Sequence, residues 1–503
     1  MTNFDDKPIP YPTYMQHIRH FFTLGDIGCM KRGGIDLASY YGVKFNAQRI
    51  YFRVEDGSMP PGPSRWSEAK VKTFYNWMKT GYIRGFVEPN ILNLSLVERA
   101  PASRLRKNIN DLSEGEIKRL KLAFSGLMAR DEDRDNPQSY FNLAGLHWLP
   151  RPNVYCRHHE NAYNPWHRLY MNTFEDALRS VDGCEDVTLP YWDITEDEIP
   201  PLLKEEPFNS YKIPYKLETL SGHVFPAGTE TERFDDQEIL DHIKEYGVAE
   251  NIAYALGESR WEHFNGWSSG QRQKGIILAH DGGHNSIGDT MKYQEVAAFD
   301  PIFWFFHSNW DRLWWKWQTL YGADDTGSFI TFIDEKPDWI LDPLLNTLDP
   351  FKHSVPETIN LRDFDIDYEH PEDERIEVAK VALLGSIRAE KTFSLQDSST
   401  VSVRVKNINR LGIPGSFDVR LKSGDEVLAK QSLFQPMDPE HCGTCKQKGL
   451  VDFDFELARE MIEGKLLQVE IAVNVPGRRE KRVIPLGVAG NPTVNIRSLL
   501  VQE

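Results

Sequence analysis

Apolar positions recur along this chain at two different periods. Up to about residue 365 they fall at helical spacing. Ile117, Leu120, Phe124, Leu127 and Met128 make one stripe, and Ser113-x-x-Glu116 just before it has the form of a capping box. A second stripe runs through His167, Tyr170, Met171, Phe174, Leu178 and Val181. It follows Asn164-Pro165, which predicts an N-cap and a proline in the first turn. A third predicted helix holds His280 and His284, and a fourth, from about Phe303, carries His307, Trp310, Trp314 and Trp317 along one side. Past residue 365 the period drops to two. Val401-Ser-Val-Arg-Val405 and Val469-Glu-Ile-Ala-Val-Asn-Val475 predict strands with one buried face. Between the two regimes, Asp363 to Glu377 is crowded with Asp and Glu and reads as an exposed connector. The pattern predicts a helical domain over residues 1–365, an acidic linker over 366–380 and a β-sandwich over 381–503. No internal repeat is visible.

Composition narrows the class. With 503 residues, 40% of them apolar and 13 tryptophans, the chain can build a large core; that excludes a disordered or low-complexity protein. Fifty-eight basic residues against 75 acidic ones leave −17. Such a chain repels phosphates, so neither nucleic acid nor an anionic membrane is an expected partner. The most apolar stretch, Pro301 to Phe306, is followed at once by His307, Asn309, Asp311 and Arg312; a bilayer span needs about 20 apolar residues. The first residues lack a basic region followed by an apolar run, and the five cysteines are odd in number. A soluble, cytoplasmic protein is expected.

The chemistry lies with histidine. Thirteen of the 15 histidines and all 13 tryptophans precede residue 365. Two clusters stand out: His147, Cys156-Arg-His158-His159 and Trp166-His167-Arg168; then His280-Asp-Gly-Gly-His284 and His307-Ser-Asn-Trp-Asp311-Arg312. On a helix, His280 and His284 project from one face, as a shared metal requires. Alone that spacing is weak, and His167 or His307 alone reads as a core histidine. Asp281 stands where a zinc protease needs its Glu. Six histidines in two triplets, each among aromatics, are a different matter.

These pieces, with Leu189-Pro-Tyr-Trp-Asp193 and Phe299-Asp-Pro-Ile-Phe-Trp304, resemble the type-3 copper proteins: tyrosinases, catechol oxidases and molluscan-type haemocyanin units. The resemblance is strong over residues 140 to 370 and weaker beyond. It implies a mainly α copper-binding core built on a four-helix bundle, followed by a C-terminal β-sandwich. It implies two copper ions, one on His147, His158 and His167, the other on His280, His284 and His307. His159 is the alternative for the middle position, but the phase of Cys156-x-His158 and the gap to His167 favour His158. Imidazole suits copper in both oxidation states, and three ligands per ion leave room for dioxygen. Asp193, Asn309 and Asp311 are candidates to orient the ligand rings, or to pair with Arg312 and Arg168. The resemblance also implies a thioether between Cys156 and His158; a free buried cysteine is the alternative.

Implied roles around the coppers follow the same carry-over. Asp281 and Asn285, just after the first two histidines of the second triplet, are candidates to influence phenol deprotonation. Gly282 and Gly283 are expected to leave room for substrate. Gln294 falls at the gate position, and Glu262 lies too far upstream to align as the family's water-holding residue. In longer relatives a C-terminal β-domain covers the coppers as a lid. Within it, Cys442-Gly-Thr-Cys445 offers a thiolate pair for copper loading, with a disulfide or half a zinc site as alternatives. The expected function is a polyphenol oxidase, a copper oxidoreductase taking o-diphenols and some monophenols to o-quinones with O2. A haemocyanin-like oxygen carrier is the runner-up, disfavoured by the single six-histidine unit, and a structural zinc protein is third. The natural phenol and the oligomeric state are not legible.

Overall fold

The computed structural model describes residues 7–10, 12–14, 17–32, 37, 40–60, 65–79, 102–150, 155–268, 271–272, 274–369, 400–463, 465–476 and 478–498. Most of the expected acidic linker, from 370 onward, lies outside the described residues.

The helices that position the histidines are α1 (Glu114–Ala129), α2 (Tyr163–Arg179), α3 (Asp236–Glu245), α4 (Val248–Gly257), α5 (Ile276–Ile287) and α6 (Ile302–Tyr321). Helix α1 packs on α2, α2 on α6, and α5 on α3 and α4. The Ser113 capping box forms in full. Helix α2 starts earlier than expected. Ala162 occupies its N-cap without a side-chain bond, and Asn164 lies inside the first turn. Helix α6 is buried on almost every side, only Lys316 and Thr319 being partly exposed. That is how a helix at the centre of a large core behaves. Phe174 of α2 and Trp304 of α6 stack with ring centroids 3.5 Å apart, joining the two helices. Among the described residues no helix is long and apolar enough to cross a membrane.

Gly282 and Gly283 of α5 serve packing rather than the substrate space expected of them. A Cβ on Gly283 would come within 2.7 Å of Phe306, and one on Gly282 within 3.0 Å of Tyr246. Glycine is what lets these side chains lie against the helix backbone.

A two-stranded parallel pair, β1 (Arg104–Arg106) with β2 (Ile366–Tyr368), joins the start of this helical unit to its end. The segment before residue 80 departs from the single unit expected over 1–365. Its apolar residues, among them Tyr14, Ile18, Phe21, Val43, Ile50, Phe74 and Trp77, form a core of their own.

The C-terminal region is the expected sandwich. Its strands are β3 (Thr400–Asn409), β4 (Phe417–Ser423), β5 (Glu426–Leu433), β6 (Leu450–Ala458), β7 (Gln468–Val473), β8 (Arg482–Ile484) and β9 (Thr493–Ser498). One sheet runs β5-β4-β7-β8 and the other β6-β3-β9, all antiparallel. Val401, Val403 and Val405 are buried, as the alternation requires. Strand β5 lies against α5, and one continuous apolar core includes Trp310 of α6 together with Phe417 and Phe434 of the sandwich.

Candidate metal centre

Three helices and two loops bring six histidines together. Helix α2 supplies His167, α5 supplies His280 and His284, and α6 supplies His307. His147 follows a short helix at Tyr140–Ala144, and His158 lies in the loop before α2. All six are buried. Ring centroids of His147 and His158 are 5.1 Å apart, those of His158 and His167 5.2 Å, and those of His280 and His284 4.5 Å. His307 lies 5.2 Å from His280, and the two triplets meet where His167 stacks on His307 at 4.6 Å. His147, Cys156, His158 and His167 bring potential ligand atoms within 4.8 Å of one another, as do His158, His280 and His284.

The rings are aimed mostly by backbone. Nδ1 of His147 donates to the Gln294 carbonyl at 3.0 Å, that of His167 to Tyr163 at 2.8 Å, and that of His284 to Met291 at 2.9 Å. A ring whose Nδ1 donates presents the lone pair of Nε2 to the interior. There the Nε2 atoms of His284 and His307 face each other at 3.2 Å, and Nε2 of His147 is buried with no hydrogen-bond partner. Burial, then the neighbouring imidazoles, hold the rings neutral: His147 is lowered to about 3, and His158, His167, His284 and His307 fall well below the usual range. Converging neutral imidazoles with unmet lone pairs fit soft or borderline metal ions such as copper.

The other expected site residues divide. Cys156 Sγ lies 2.8 Å from Nδ1 and 3.5 Å from Nε2 of His158. The Gln294 amide sits 2.7 Å from Nδ1 of the same ring. His159 turns away from the other histidines: its Nε2 meets Asp281 Oδ2 at 3.0 Å. Asp281, expected to meet the phenol, is buried with Oδ1 on His280 Nδ1 at 3.1 Å and Oδ2 on His159. Asn285 is bonded to the Asp281 carbonyl and to Asn474 of the sandwich.

Asp193, Asn309 and Asp311 do not orient the ligand rings in the bonds described. Asp311 takes Arg168 at 2.6 Å, Arg106 at 3.2 Å and Tyr368 at 2.8 Å, while Arg312 binds Asp193 and Asn309. Buried arginines demand these acceptors, and backbone carbonyls do the aiming instead. Glu262 is likewise committed, accepting from the backbone of Asp334 and Glu335. Cys442 and Cys445 are joined as a disulfide, so the expected thiolate pair is absent.

One group at the site had no signal in the sequence. Phe434, just after β5, stacks on His284 with centroids 3.9 Å apart and an 11° interplanar angle. Its ring also lies 5.3 Å from His158 and 5.8 Å from His280. Beside Cys156 a cavity of about 450 Å³ opens between Arg157 and Glu160 on one side and His441 and Cys442 on the other.

Residues 137–320 match the family model of the common central domain of tyrosinase. Hemocyanin 2 of Megathura crenulata is 33% identical over 234 residues, which are 44% of this chain but 6% of that protein. Tyrosinase of Aspergillus oryzae is 24% identical, with 76% of this chain and 95% of that protein covered. A solved tyrosinase from Burkholderia thailandensis shares the fold, with a TM-score of 0.57 and 18% identity over 78% of this chain and all of that one. The chain thus spans a small fraction of the haemocyanin and nearly all of the fungal tyrosinase. With its six histidines gathered on this fold, the chain matches the tyrosinase central domain over residues 137–320 and is similar to type-3 copper proteins, tyrosinases and haemocyanins alike.

Proposed function

We propose that the chain is a polyphenol oxidase that takes o-diphenols, and some monophenols, to o-quinones with O2. His147, His158 and His167 hold one copper ion and His280, His284 and His307 the other. The convergence of six buried, neutral imidazoles carries this reading. Bound copper would supply the redox chemistry between phenol and dioxygen. The protein's part is to aim the rings through the carbonyls of Gln294, Tyr163 and Met291 and to exclude water with Phe303, Phe306 and Tyr163.

Two further features belong to the same reading. Cys156 Sγ lies 2.8 Å from Nδ1 and 3.5 Å from Nε2 of His158, close enough to that ring for the thioether to form. Phe434 takes the face of His284 that a phenol ring would need, which supports a lid that must move before substrate enters.

An oxygen carrier is the second reading, because haemocyanins are among the relatives. Against it stands the match of 76% of this chain along 95% of a tyrosinase. Copper stoichiometry followed by oxygen uptake with catechol, on the intact chain and after removal of the sandwich, separates them. Two coppers with sustained quinone formation support the oxidase; reversible O2 binding without turnover supports the carrier. His167→Ala and His307→Ala should lower the copper content and abolish oxidation while the fold is retained. Near-native turnover in either would remove the ligand assignment.

A further inference from the structure

Arg410, in the sandwich, belongs to the same bonded segment as Phe434: its Nε donates to Gln435 Oε1 at 3.0 Å. Its Nη2 also reaches Nδ1 of His159 at 3.5 Å. From there an unbroken series of contacts runs into the candidate metal centre. His159 Nε2 meets Asp281 Oδ2 at 3.0 Å, and Asp281 Oδ1 meets His280 Nδ1 at 3.1 Å. All four side chains are buried.

The chemistry of each group fixes its neighbour. A guanidinium has only donors, so His159 Nδ1 must accept. A neutral imidazole accepting at Nδ1 donates at Nε2. An ionised carboxylate only accepts, so Asp281 takes one proton donor from His159 and a second from His280. His280 therefore carries its proton on Nδ1 and presents the lone pair of Nε2. Resting on the dicopper reading above, we propose that His159 and Asp281 are positioning residues that set the tautomer of His280, and that Arg410 of the sandwich completes the series from outside. Neither His159 nor Arg410 is a ligand or touches substrate in this role.

Other features of the structure agree with it. The His159 backbone is held in the left-handed region at φ 58°, an uncommon conformation for a residue other than glycine. The sandwich grips the same turn twice more, Lys448 donating to the His159 carbonyl at 2.7 Å and Thr444 to Glu160 at 2.7 Å. Trp267 packs on the imidazole with centroids 4.8 Å apart. The turn that carries one expected ligand, His158, is thus clamped by the domain that also places Phe434 over the site.

Two measurements on the full chain test this. The first needs no metal. In metal-free protein labelled with 15N-histidine, long-range proton–nitrogen correlations should find His280 protonated on Nδ1 and His159 on Nε2. The second is copper affinity by chelator competition. His159→Asn tolerates the left-handed backbone but its amide stops one bond short of the reach of Nε2. It should weaken one of the two coppers by about 10–100-fold. His159→Gln, whose amide has that reach, should recover most of the loss. Arg410→Met, which changes no residue of the helical unit itself, should shift the His159 tautomer.

Finding His280 protonated on Nε2 in the metal-free protein would overturn the proposal. So would wild-type retention of both coppers in His159→Asn, or an equal loss in His159→Gln. If the wild-type chain took up no copper, the dicopper reading would fall, whereas the tautomer result would stand or fail separately.

Discussion

Replacing Phe434 by alanine should convert the intact chain into an active form without cutting it. The ring is buried and faces three histidines of the helical unit, stacked on one of them. Truncating a buried Phe costs about 3–5 kcal/mol in a well-packed core. Part of that loss falls within the sandwich and is the same whether or not the sandwich is docked. The part across the interface combines the stack, about 0.5–1.5 kcal/mol, with a share of the burial, and comes to about 2 kcal/mol. At about 1.4 kcal/mol per factor of ten, the undocked fraction rises roughly 30-fold. The assay is quinone formation from catechol by intact, copper-loaded protein, beside protein from which the sandwich has been removed. The intact variant should approach the cleaved wild type, with the rise in turnover number. If intact Phe434→Ala holds two coppers and stays as slow as intact wild type, the ring is not what closes the site.

Further outcomes follow from other contacts. A peptide spanning Cys156 and His158 from copper-loaded protein should be lighter by two hydrogens and resist alkylation; a freely alkylated Cys156 would exclude the thioether. Acid should lower the stability of the fold through Asp418. Burial pushes its carboxyl up, but Lys481, Lys430 and Arg420 outweigh this and hold it below 3.8, and Tyr246 of the helical unit donates to it at 3.0 Å. Its contribution is therefore complete above that value and is lost as the pH falls through the lower folded one. The urea midpoint should drop with acid in the wild type and less steeply in Asp418→Asn; parallel curves would refute the role. Arg106→Met should cost about 3–5 kcal/mol, read from denaturant melts, because it takes the buried cation from Glu175 and one of two arginines from Asp311. A loss below about 1 kcal/mol would show that the network repacks.

What the sequence disclosed follows from where the determinants lie. The Ser113–Glu116 box and the Val401–Val405 alternation are local, and both form as read. The histidines were legible because six in two triplets, each among aromatics, are too many for chance. The groups that aim them were not. A carbonyl such as that of Gln294 has no signature in the sequence, and whether Asp281 meets a phenol or His159 depends on a loop placed by tertiary packing. Asp193 and Asp311 were open in the sequence between the ligand rings and Arg312 or Arg168, and the buried arginines take them. Phe434 sat among ordinary core residues of a strand end. Only the docking of two domains gives it a partner.

The pairing of β1 with β2 has a consequence for how such a unit can be used. Arg104 aligns with Ile366 and Arg106 with Tyr368, and Glu369 donates back to the Arg106 carbonyl at 2.8 Å. The way in and the way out of the helical unit are therefore neighbours, tied by a parallel clip that only distant segments can make. A unit sealed this way can be treated as a bead. Such a unit should tolerate a cut or a new domain beyond residue 369 without fraying at this clip. Joining 369 to 102 through a short loop and opening the chain at an exposed turn should leave a bead with the same six histidines.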